Sequence, residues 1–246
     1  MTMKASAIEF RLRMLIMVAI VVLGFYAPWI EWWGLGTRRP LIEWLPLELS
    51  RSGALSFAVA VPIVICLGAI LAFLGATFRV WGAAYLNYAT IHHGEMLGGA
   101  VMADGPYRFL RNPLYVGGWF MMAAIAFLMP PTGALVSFTL FTVFLLRLIL
   151  AEEEFLGVSL GEPYSQYLKA VPRLIPRLRA SLPSSGQRPH WGAALITEIN
   201  PIGIFISLAV LSWRYDYLLM LKAVLISFGA SLVVRAFMRP VSASPA

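Results

Sequence analysis

Apolar residues run through this chain in long blocks, and polar residues fall between the blocks rather than alternating with them. A hydrocarbon layer of ~30 Å needs about 20 mostly apolar residues per crossing helix. Blocks of that kind lie near residues 14–30, 54–76, 114–129, 132–150, 192–211 and 217–238. The third and fourth are short and are joined by Met129-Pro130-Pro131-Thr132-Gly133, where two prolines and a glycine end one helix and open the next. This predicts a tight antiparallel helical hairpin. A Ser/Pro/Gly-rich stretch at 181–190 sets the last two blocks apart. The expected architecture is an all-α polytopic membrane helix bundle of about six spans. It divides into an N-terminal two-span region (1–78), a core (79–180) built on the hairpin 113–150, a linker (181–191) and a C-terminal two-span appendage (192–246).

Composition leaves no room for a soluble alternative. The chain is 60% hydrophobic and 13% charged, with a mean hydropathy of +0.78, whereas soluble domains are about 45–50% apolar and about 25% charged. Lys4, Arg11 and Arg13 before the first block imitate a signal peptide. That block is long, ends in Pro28-Trp29 and has no small-x-small cleavage site, so it is expected to be retained as a span. The net charge of +7 is not gathered on a face for nucleic acid; the basic residues flank the apolar blocks. With six spans, 14 of the 19 Lys and Arg fall on the side of the termini. The positive-inside bias then places the termini and the two long polar segments in the cytoplasm. Trp29, Trp32, Trp33 and Trp44 crowd the first loop, at headgroup level. The single cysteine, Cys66, excludes a disulfide or a thiolate metal site and reads as a small core residue.

Candidate chemistry concentrates beside the hairpin. In Asp104-Gly105-Pro106-Tyr107-Arg108-Phe109-Leu110-Arg111-Asn112-Pro113-Leu114-Tyr115 the two arginines are one helical turn apart, and Asn112-Pro113 reads as an N-cap and first helical residue. The helix start is suited to a carboxylate or phosphate; equally, the arginines serve as interfacial caps on a span. Beyond Arg147 come Glu152, Glu153 and Glu154, which either hold a cation or form a solvated helix end paired with Arg147. Successive residues are ~100° apart on a helix, so at most two of the three face one pocket. Glu153 shares a side with Leu156 and Leu160, and Glu154 with Arg147; periodicity does not choose among them. Gly161 ends a helix, and Pro163 opens a short amphipathic one carrying Tyr164, Tyr167 and Leu168. His92-His93 makes no metal pair, because adjacent side chains point apart and Glu95 does not complete a site; no metal is expected, and His190 reads as a linker residue.

Taken in order, Gly105-x-Tyr107-x-x-x-Arg111-Asn112-Pro113-x-Tyr115-x-Gly117, a hairpin, Glu152-Glu153-x-x-Leu156, Gly161-x-x-Tyr164-x-x-Tyr167 and Val171-Pro172-Arg173 resemble the isoprenylcysteine carboxyl methyltransferase and phospholipid methyltransferase superfamily. The resemblance covers about residues 79–178. It implies methyl transfer from S-adenosylmethionine within the membrane. The Gly-x-Gly-x-x-Gly of soluble dinucleotide-fold enzymes is absent. By resemblance, Tyr107, Arg111, Asn112, Pro113, Leu114 and Tyr115 would wrap the cofactor. Gly99, Ala100, Val101 and Met102 would offer backbone contacts, and His92 a polar one. Glu152 and Glu153 match the family's acidic pair, and Arg147 its acceptor-facing arginine. Two departures stand out: Asn112 replaces a histidine, which removes proton transfer at that position, and 192–238 has no counterpart. The implied acceptor is lipophilic or prenylated, foremost the carboxylate of an isoprenylcysteine-like group, with a phospholipid amine as the alternative. A non-catalytic transporter or scaffold is disfavoured by the near absence of ionisable residues within the blocks. A nicotinamide-dependent membrane reductase is disfavoured by the short chain and the Glu-Glu-x-x-Leu signature.

Overall fold

In lipid every backbone N–H and C=O must find its partner within the chain, so apolar blocks fold as helices. The computed structural model describes residues 3–86 and 103–237, and all regular structure among them is helical. The order is α1 (Ala7–Arg11), α2 (Arg13–Tyr26), α3 (Trp29–Trp32), α4 (Leu41–Arg51), α5 (Phe57–Ala84), a 3-10 turn (Gly105–Arg108), α6 (Pro113–Ala126), α7 (Pro131–Leu160), α8 (Glu162–Ala170), α9 (Trp191–Thr197), α10 (Ile199–Ile206) and α11 (Tyr217–Phe237). α10 runs on through a π turn at Ser207–Leu211 and a 3-10 turn at Ser212–Arg214.

Among the described residues four helical stretches are long and apolar enough to cross a membrane: Arg13–Trp32, Phe57–Ala84, Pro131–Leu160 and Tyr217–Val234. The pair Trp191–Thr197 and Ile199–Arg214, bent by 69°, adds a fifth if it counts as one span. The expected six are therefore four or five by length. α6 is apolar but has 14 residues, about 21 Å at 1.5 Å per residue. These helices leave apolar side chains bare on their outer faces. On α5 they are Val59, Ile63, Ile70 and Phe73, at helical spacing. Cys66 lies on this same outward stripe and is exposed, which corrects its reading as a core residue. A thiol is apolar enough to face hydrocarbon.

The hairpin forms as the prolines require. Pro130 is extended and Pro131 starts α7, so no backbone donor is wasted at the turn. The carbonyls at the end of α6 are met from elsewhere: Leu41 and Ile42, in the first turn of α4, donate to the carbonyls of Met129 and Phe127, both at 2.8 Å. The free donors of one helix start thus meet the free acceptors of another helix end, in a region where Ile42, Leu128 and Met129 are buried. Small residues set the helix crossings, as expected where lipid removes the hydrophobic drive. A Cβ on Gly133 of α7 would lie 2.0 Å from the carbonyl oxygen of Gly24 on α2, and one on Gly117 of α6 would lie 2.9 Å from that of Gly75 on α5.

The segment beyond the linker packs directly on the rest. Ile204, Leu208, Met220 and Val224 share one apolar cluster with Val64 and Ala72 of α5 and Met121 of α6. Gly133→Ala should lower stability in detergent by about 1–3 kcal/mol through overpacking against backbone. Gly118→Ala, where an added Cβ meets nothing within 4 Å, should cause no loss; thermal denaturation of the two variants side by side checks this.

Candidate functional site

Sequence reading ends the fourth block at 150, but α7 continues for ten further residues to Leu160. Glu152, Glu153 and Glu154 therefore stand on successive helical positions, ~100° apart, and each meets a different neighbour. Glu154 is exposed and pairs with Lys4 at 2.5 Å. Arg147, on nearly the same face, holds both oxygens of Glu9 through Nη2, at 2.8 and 2.9 Å, while its carbonyl accepts from Ala5 N–H. Glu9 also closes a capping box with Ser6 at the start of α1. The Ser6 N–H, then the Arg147 guanidinium, hold its carboxyl below the ordinary range. Arg147 thus pairs with Glu9 rather than with one of the three glutamates.

Glu153 is buried and is the meeting point of three motifs. Arg111 Nη1 lies 3.1 Å from its Oε1, and Arg173 grips Oε2 through Nε at 2.9 Å and Nη2 at 2.7 Å. Asn112 Nδ2 donates both to Glu153 Oε1 at 3.3 Å and to the Arg173 carbonyl at 3.2 Å. The Arg111 N–H reaches the Pro172 carbonyl at 2.9 Å. Asn112 stands at the N-cap position of α6, but its side chain makes no capping bond, because Glu153 and Arg173 have drawn it away. The first-turn amides of Leu114 and Tyr115 behind Pro113 consequently have no side-chain cap.

Glu152 faces α6. Its Oε2 accepts from the Tyr115 hydroxyl at 2.7 Å, and Oε1 takes no hydrogen bond among the described residues. Tyr107, in the 3-10 turn, is buried, and its carbonyl accepts from the Tyr167 hydroxyl at 2.9 Å. Burial, then the neighbouring Tyr167, push its phenol well above the usual range, so it stays protonated. Of the residues expected at the site, Tyr107, Arg111, Asn112, Pro113, Leu114, Tyr115, Glu152 and Glu153 are brought together. Arg147 sits five residues before Glu152, about 140° around the helix. His92, Gly99, Ala100, Val101 and Met102 lie outside the described residues.

Residues 172–190 run as a strap along 104–111 in the opposite direction. Bonds join Phe109 O to Arg177 N at 3.1 Å, Arg108 O to Ser181 N at 2.8 Å and Arg108 Nε to Leu182 O at 2.8 Å. At its end the buried carboxylate of Asp104 accepts from Ser184 Oγ at 2.7 Å, Ser185 N at 3.0 Å, Gln187 N at 3.2 Å and the Ser185 hydroxyl. The strap then caps α5, with His190 N on Ala84 O at 2.7 Å and Gln187 Nε2 on Tyr85 O at 3.2 Å. The two serine hydroxyls, partly offset by burial, hold the Asp104 carboxyl down at about 2. Sequence reading missed this anchor, although a lone carboxylate before Gly-Pro and a Ser-Ser pair in the linker were its two halves. It also missed Arg79 and Glu198, which meet across 119 positions of chain at 2.5 and 2.8 Å, with Glu198 fully buried.

Among the described residues Glu152 Oε1 accepts no hydrogen bond, the start of α6 has no side-chain cap and Arg111 Nε is buried without a hydrogen-bond partner, so the arrangement offers an acceptor for a cation beside donors for a carboxylate. Residues 63–162 match the family model described as phospholipid methyltransferase. No curated protein and no solved structure matches the chain.

Glu153→Gln leaves Arg111 and Arg173 sharing a neutral partner and should cost about 3 kcal/mol, as for a broken buried pair. Glu154→Gln should stay within about 0.5 kcal/mol, and paired melting curves in detergent read both. The Asp104 bonds require the charged carboxylate, whose value falls from 3.8 to about 2 on folding. Their contribution is therefore complete above about pH 4 and is lost as pH falls through about 2. Cleavage within 182–188 by an acid-stable protease should be flat from neutrality to about pH 4 and rise below it.

Proposed function

From the premise that this chain belongs to the isoprenylcysteine carboxyl methyltransferase and phospholipid methyltransferase superfamily, we propose that it transfers a methyl group from S-adenosylmethionine to a lipophilic acceptor held in the membrane. The observation that carries this reading is Glu152: a carboxylate inside the matched region, oriented by Tyr115 through one oxygen and with no hydrogen bond at the other among the described residues. S-adenosylmethionine supplies a methyl group on a sulfonium centre, activated without any metal. Glu152 places negative charge beside the sulfonium and ammonium groups, where a charge-assisted bond contributes about 1.5–3 kcal/mol. The amides of Leu114 and Tyr115 and the unpartnered Arg111 Nε receive its carboxylate. Tyr107, protonated and buried, walls the pocket against water. The acceptor's lone pair forms the new bond to the methyl carbon as the carbon–sulfur bond breaks and sulfur keeps the electron pair. The chain's contribution is alignment of those three atoms. The excess of basic residues beside the site supports a cytoplasmic pocket.

Two acceptor classes fit. A carboxylate acceptor, such as that of an isoprenylcysteine, is already ionised near neutrality and needs no base. An amine acceptor, as the matched family's description suggests, must first lose a proton, which the open oxygen of Glu152 would accept.

The test is incubation of purified protein with methyl-labelled cofactor and a membrane lipid extract, followed by identification of the labelled product. The expected outcome is one labelled lipid class, lost in Glu152→Gln together with most cofactor affinity by calorimetry. A flat rate between about pH 6 and 8 identifies a carboxylate acceptor, and a rising one an amine. No labelled lipid, together with no cofactor binding, overturns the reading.

A further inference from the structure

Arg79 and Glu198 belong to none of the motifs that carry the resemblance, and Glu198 lies beyond the residues matching the family model. Glu198 is fully buried at the break where α9 bends by 69° into α10. A single guanidinium takes both its oxygens: Arg79 Nε lies 2.5 Å from Oε2, and Nη2 lies 2.8 Å from Oε1. A guanidinium carries five N–H donors in a planar fork, and this grip uses one edge of it. The Nη1 edge has no hydrogen bond among the described residues, and the side chain remains 22% exposed. The stem is fixed too. Arg79 Cγ lies so close over Gly117 of α6 that a Cβ there would come within 2.6 Å.

The free edge of Arg79 is therefore held in one direction by a buried carboxylate and a helix surface. It also lies on the side of the proposed site, because its stem crosses α6 at Gly117, three residues and about one turn beyond Leu114 at that helix's start. A pair used only for stability gains little over apolar packing and has no need of an accessible donor edge. A fixed, weakly hydrated fork with one edge open suits an oxyanion. Arg147 is less suited, since Glu9 occupies it and it is turned about 140° from Glu152.

We infer that Arg79, held in place by Glu198, binds the anionic oxygens of the lipophilic acceptor, a carboxylate or a phosphate, so that the C-terminal helices complete the acceptor side of the site. This rests on the methyltransferase reading above. Arg79 touches the acceptor; Glu198 is a positioning residue.

The probe is dihexanoyl phosphatidate, titrated into the full-length protein in neutral detergent and followed by thermal shift, with decanoate as the carboxylate arm and inorganic phosphate as the free-anion arm. At least one of the two amphiphiles should stabilise the wild type saturably while inorganic phosphate does not, and the responding probe names the anion. Arg79→Gln should abolish the effect, and Glu198→Gln should weaken it about tenfold while cofactor affinity stays unchanged. The charge-swapped variant Arg79→Glu with Glu198→Arg guards against misfolding. It should recover thermal stability but neither amphiphile binding nor the acceptor KM. Binding by Arg79→Gln equal to that of the wild type, recovery of acceptor KM by the swap, or an equal response to inorganic phosphate overturns the inference. Absence of methyl transfer by the wild type would instead sink the methyltransferase reading.

Discussion

One carboxylate in a poorly solvated place decides how the core of this molecule is assembled. Glu153 is buried, and a buried carboxylate needs cations and hydrogen-bond donors beside it. The solution uses Arg111 from before the hairpin and Arg173 from after α8, with Asn112 filling the remaining gap. Three stretches separated in sequence are thereby pulled to one point at the base of α6 and α7. The strap, the position of Tyr107 and the uncapped start of α6 all follow from that knot. If Glu153 were apolar, nothing would hold Asn112 away from its capping role.

The knot also separates the roles of adjacent residues. Because α7 remains helical through Glu154, the three acids cannot share a pocket. Glu153 is committed to structure and Glu154 to the N-terminal segment. Glu152, with Tyr115 on one oxygen, has no hydrogen bond at the other among the described residues. The arrangement is a division made by helical geometry, not by differences in chemistry among three identical side chains.

Much of this was legible in the residues. The hairpin at Pro130-Pro131 follows from proline's missing donor, and Leu156 and Leu160, which share a side of α7 with Glu153 by periodicity, pack against Tyr164 and Tyr167 of α8. Contacts that join distant charges were not legible. Arg79 with Glu198, Glu9 with Arg147 and Asp104 with Ser184 and Ser185 each pair residues that no local period connects. The length of α7 past Leu150 was missed because hydropathy ends there while helix propensity does not. α6 was read as short, but its end was placed at 129 rather than Ala126, since its apolar run extends into the turn. Cys66 was misplaced because apolar character alone does not distinguish a lipid-facing position from an inward one.

The contact between α4 and the hairpin turn bears on how the chain is made. Leu41 and Ile42 are synthesised well before the carbonyls of Phe127 and Met129 that they satisfy. When the hairpin packs, its tip therefore meets donors from a segment made earlier in synthesis. An early-made segment acts as a template there, and two paired amides fix the register in which the hairpin tip docks.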